Sequence, residues 1–127
     1  MIEARRIALA FLAPAFPTAA QADALWDMFE ARCLIPYEHV APPDLRGLDP
    51  LGLVWRDPAT GLIVTTTEDS CAVTGGTSMD LASLLAPRED YAEIGGGTWQ
   101  STTWREPRIE VTATPAGYAV TETDLEA

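Results

Sequence analysis

The sequence predicts an α+β fold, an antiparallel sheet of about five or six strands with two helices packed on one face. Three observations carry this expectation. Apolar residues recur at helical spacing over 23–35. Short runs rich in branched and aromatic residues, separated by Pro/Gly turns, fill most of the remainder. Read end to end, the order is helix, three strands, helix, three strands, which suits two layers sharing one core.

Ahead of the first element lies a different kind of segment. Met1-Ile2-Glu3-Ala4-Arg5-Arg6 precedes the apolar run Ile7-Ala8-Leu9-Ala10-Phe11-Leu12-Ala13, and Ala20-Gln21-Ala22 follows two prolines. A positive start, a short apolar core and a small-x-small tripeptide are the parts of a secretory signal peptide. A spanning helix needs ~20 apolar residues, and this run is shorter and broken by Pro14 and Pro17. The sequence therefore divides into a cleavable leader over 1–22 and a single domain over 23–127, periplasmic or secreted, with no stable membrane span after cleavage.

The first helix of the domain is expected over 23–35. Leu25, Trp26, Phe29 and Cys33 share one stripe, Asp23 is placed to cap the start, and Pro36 is placed to end it. From Pro36 to Gly52 the prolines and glycines forbid a regular element, and long irregular segments in small domains are often binding segments. This one holds the only histidine, His39, close to Tyr37. A hairpin follows, Leu53-Val54-Trp55-Arg56 and Leu62-Ile63-Val64-Thr65-Thr66-Thr67 around an Asp-Pro-Ala-Thr-Gly turn. Cys71-Ala72-Val73-Thr74 reads as a third strand. Thr77 to Leu85 reads as the second helix, with Thr77-x-x-Asp80 as its capping box. Three strands close the chain, over 98–104, 108–114 and 118–123.

Charge narrows the possible partners. The chain carries 8 arginines against 19 acidic residues, a formal net charge of −11. Removing residues 1–22 takes away Arg5, Arg6 and Glu3, leaving 6 against 18, or −12. Nucleic acid and anionic membranes need basic residues, so neither is an expected partner, whereas a basic protein is favoured at long range. The sequence contains no lysine. Schiff-base chemistry, a P-loop lysine and the Ser-x-x-Lys arrangement are thereby excluded.

Cys33 and Cys71 are the only cysteines, so an oxidising compartment offers them one intramolecular pairing. On the loop-entropy model that bridge contributes about 3 to 4 kcal/mol. No metal site or cofactor is expected, because one histidine beside two oxidised cysteines makes no zinc set. The serines lack a Gly-x-Ser-x-Gly elbow, and the acidic residues show no EF-hand spacing. Trp99 and Trp104 fall on opposite faces of one expected strand, so regular alternation turns one of them outward.

The Phe-x-x-x-Cys helix (Phe29 to Cys33) and the later Cys-Ala-Val strand (Cys71 to Val73), behind a leader, resemble small exported single-disulfide bacterial proteins of unassigned function. The resemblance implies compartment and disulfide only. The expected function is a non-catalytic, protein-binding or envelope-assembly domain with Tyr37, His39, Trp99 and Trp104 as candidate partner-binding residues. Its specific version is an acidic inhibitor or immunity-type protein for a basic partner. The alternative is a small carboxylate-dependent hydrolase or sugar-binding enzyme. An enzyme of that kind brings two carboxyl groups together; an inhibitor binds in a salt-dependent way.

Overall fold

The structure, a computed structural model, describes residues 19–103 and 108–123. Most of the expected leader, and Trp104, lie outside them. The first helix, α1 (Ala19–Phe29), runs through a π-helical segment (Glu30–Leu34) into a closing turn (Ile35–Glu38). It buries Leu25, Trp26, Phe29 and Cys33, the stripe the spacing predicts, together with Leu34. The helix begins before Asp23, so Asp23 lies within it rather than capping it.

Pro36 does not end this helix. Its missing N–H would have bonded the Arg32 carbonyl in a regular helix. That carbonyl instead accepts from the Asp44 backbone N–H at 2.9 Å. The orphaned acceptor is satisfied from outside, and the helix continues for one more turn. The Arg32 side chain adds contacts to the Asp44 carbonyl (3.2 Å) and carboxylate (3.4 Å), pinning the Pro-rich segment to the helix.

The sheet has eight antiparallel strands rather than five or six, and both helices bury their apolar sides in the core on one face of it. The strands are β1 (Asp49–Leu51), β2 (Val54–Arg56), β3 (Ile63–Thr66), β4 (Ser70–Thr74), β5 (Tyr91–Gly95), β6 (Thr98–Ser101), β7 (Arg108–Thr114) and β8 (Gly117–Thr123). Two of these depart from expectation. β1 arises inside the stretch read as loop; it is an edge strand of three residues, where Pro50 breaks no interior ladder. β5 arises in the acidic run and forms the opposite edge, buried only at Tyr91. It is joined to β6 through Gly95, Gly96 and Gly97, all at positive φ (117°, 61° and 80°), which glycine adopts without strain.

The second helix, α2 (Leu81–Leu85), is shorter than expected. Asp80, not Thr77, caps it, its Oδ1 accepting the Ala82 N–H at 3.2 Å. A 3₁₀ turn (Ala86–Arg88) leads from it to β5.

The strand order β1-β2-β3-β4-β8-β7-β6-β5 is two four-strand meanders joined along β4 and β8. Each meander is preceded by one helix. The β4–β8 ladder is centred on the Ala72–Ala119 pair, about which the order is two-fold symmetric. On the helix-covered face, Val64, Cys71, Val73, Val120, Ile109 and Val111 are fully buried. Tyr118 packs edge-on to Trp26 (5.1 Å) and tilted to Phe29 (5.6 Å), and its hydroxyl accepts the Met79 N–H at 2.6 Å. Gly117 is fixed by space, because a Cβ there would overlap the Val73 carbonyl. Cys33 and Cys71, both fully buried, form the disulfide that ties the π segment to β4.

Candidate functional site

Among the described residues, polar side chains from distant parts of the chain converge around a shared group at the helix end that faces β5. The π segment creates the alignment. An α-helix turns about 100° per residue, so eight steps leave two residues about 80° apart. A single π turn absorbs one extra residue, so eight steps turn as seven would and end about 20° short of two full turns. Glu30 and Glu38 are thereby carried to the same side of the rod and meet the same arginine.

That arginine is Arg88, delivered by the 3₁₀ turn after α2. Its Nη2 donates to Glu38 Oε2 at 2.6 Å, its Nη1 lies 3.7 Å from Glu30 Oε2, and its Nε lies 3.5 Å from Asp90 Oδ1. The Tyr91 hydroxyl donates to the same Glu38 oxygen at 2.5 Å, and the guanidinium sits 5.1 Å from the Tyr91 ring centroid. Arg88 Nη1 and Asp90 Oδ1 are shielded from solvent without a hydrogen-bond partner, so this network is incompletely satisfied.

The environment acts on the titrating groups in different directions. Burial pushes the Glu30 carboxyl above its ordinary value, and Arg88 only partly offsets this. Burial, then the hydrogen bond to Glu38, pushes the Tyr91 phenol up, so it stays a donor. Burial raises Tyr37 as well, with Glu122 and Asp69 adding to it. Three carboxylates thus surround one guanidinium, with Asp69 and Glu122 near the neighbouring Tyr37. By contrast, hydrogen bonds from Arg46 hold the half-buried Asp44 carboxyl well below the usual carboxylate range.

Backbone strain marks the same place. The non-glycine residues at positive φ among those described are Val40 (55°), two residues after Glu38, and Glu89 (66°), between Arg88 and Asp90. Val40 ends the helix: its N–H bonds the Tyr37 carbonyl and the Ala41 N–H bonds the Pro36 carbonyl, the pattern usually built on glycine. A branched residue in this conformation is strained.

The expected contact residues are dispersed. His39 is exposed, with Nδ1 at 2.9 Å from the Ile35 carbonyl. Tyr37 and Trp99, 4% and 9% exposed, belong to the core, so neither offers its ring to a partner. Trp104 lies outside the described residues. Sequence reading missed Glu30, Glu38, Arg88 and Tyr91 as a unit, since Arg88 is 50 residues from Glu38 and no periodicity links them. The only local signal was the acidic run beside Arg88.

Chemically, Arg88 supplies one positive charge to the three carboxylates around it. Among the described residues no cluster of three or more His, Cys, Asp or Glu is disposed to hold a metal ion. Among them, too, no helix is long and apolar enough to cross a membrane. Compared with protein-family models, with curated proteins and with solved structures, the chain matches none.

Proposed function

We propose that this chain is an exported, disulfide-stapled binding domain that recognises a basic protein of the cell envelope through the acidic end of its first helix. The observation that carries the reading is the local imbalance there: Glu30, Glu38 and Asp90 share the single Arg88, with Asp69 adjacent to Tyr37. Such a surface attracts and orients a cationic partner, with an on-rate that falls as salt rises. The buried Cys33–Cys71 disulfide and the leader expected over 1–22 support export. Whether the partner is an enzyme inhibited by this contact follows from its identity.

A carboxylate-dependent hydrolase is the second reading, favoured by the raised Glu30 carboxyl, which suits a general acid. Against it stands Glu38, whose oxygen is occupied by both Arg88 and Tyr91.

The test is retention of envelope proteins on the immobilised, oxidised chain at 50 and 500 mM salt, beside a Glu30→Gln/Asp69→Asn/Asp90→Asn variant. A basic protein bound at low salt, released at high salt and held at least tenfold more weakly by the variant is the expected result. A specific partner that is acidic, or one indifferent to both salt and variant, overturns the proposal.

A further inference from the structure

The sheet face turned away from the helices differs from the rest of the surface. Its central row is Thr65–Ala72–Ala119–Thr112, flanked by Thr74 and Thr121, so small side chains lie at its middle. The described residues hold 15 acidic side chains and five arginines. The registers place Asp49, Arg56, Arg108 and Glu110 on this face, two of each sign. Everything else then carries 13 acids against three arginines, net −10, while this face is neutral.

We infer that this face docks a second copy of the same chain. Taken together, the other described surfaces carry a net negative charge, so two copies approaching through them repel on average. Through the neutral face the repulsion is least, and its equal numbers of arginines and carboxylates allow a self-complementary contact to set opposite charges together. The alanines at the centre of β4 and β8 let two sheets come to the ~10 Å separation of stacked sheets. Eight strands spaced ~4.8 Å apart and about five residues long give about 570 Å² of plane per copy, or about 1,100 Å² for the pair. That just clears the ~1,000 Å² of a specific interface, so the association is weak and reversible.

Salt separates this inference from the proposed binding to a basic protein, which it does not depend on. Screening relieves the repulsion between two acidic copies, so self-association strengthens as salt rises, whereas attraction to a cationic partner weakens. The experiment is sedimentation equilibrium of the oxidised chain from 20 to 500 µM, at 20, 150 and 500 mM NaCl. The expected result is a dimer whose Kd falls with salt into the range of about 10–100 µM. Thr112→Arg should raise that Kd at least tenfold without lowering the melting temperature. Ala82→Lys, exposed on α2 on the opposite side of the sheet, should leave it unchanged. Should Thr112→Arg perturb the fold, Thr74→Arg gives the same reading from a neighbouring strand. A monomer at every concentration and salt overturns the inference, as does a dimer that salt dissociates. So does one broken by Ala82→Lys and untouched by the face variants.

Discussion

Val40 closes the first helix in a conformation that glycine takes without strain, and its side chain is 65% exposed. Little packing is therefore lost on replacing it. Relief of left-handed strain exceeds the entropy that glycine adds to the unfolded chain, so Val40→Gly is expected to stabilise the fold by about 1 kcal/mol. Chemical denaturation checks this; a destabilised variant would show that the valine side chain holds something in place. Glu30 makes a second case. Its carboxyl is raised in the folded state, so its folding contribution is greatest below the ordinary value of 4.5 and is lost as pH climbs through the folded value. Glu30→Gln should therefore raise the melting temperature at pH 7 and change it little at pH 4. None of this was legible in the sequence, which shows a valine after a histidine and a glutamate in a helix. The strain and the burial arise from what the next turn of chain packs against.

At the scale of elements, the helix and most strands were legible because their signal is periodic. Leu25, Phe29 and Cys33 fall one above another at helical spacing, and Ile109, Val111 and the buried side of β8 alternate as a half-covered sheet must. The failures share a cause. Pro36 reads as a stop because its missing N–H is visible in the sequence, whereas the Asp44 N–H that replaces it comes from twelve residues beyond Arg32. β1 and β5 are edges, held by pairing on one side only, and carry little apolar pattern of their own. The disulfide was legible because two cysteines permit only one bridge within the chain. It joins residues 38 positions apart, so a Cys33→Ala/Cys71→Ala variant is expected to lose about 4 kcal/mol from loop entropy. For a domain of this size that lowers the melting temperature by about 15–30 °C, measurable by thermal circular dichroism. A shift of only a few degrees would mean that the π segment and β4 stay together in the unfolded chain.

For the molecule as a whole, composition announced the acidity but not its distribution. The charge is concentrated on the helices, turns and strand ends, and the far face of the sheet is left neutral. Alternation in β4, β7 and β8 assigns that face its own set of residues once the other is covered, because each strand sends every second side chain outward. On the two proposals made above, charge sorts the surfaces into one for an oppositely charged partner and one for an equal.

The β4–β8 seam has a consequence of another kind. Each half of the chain is a helix followed by a meander of neighbours, and the long ladder between Ser70–Thr74 and Thr121–Gly117 is where the halves meet. A cut in the connection between Gly76 and Thr77 would sever no strand and would leave the bridge whole within the first fragment. Produced as two polypeptides, 23–76 and 77–127, the halves are expected to reassemble one to one and co-elute in size-exclusion chromatography. The molecule would then serve as a split reporter, its signal restored whenever two fused proteins draw the halves together.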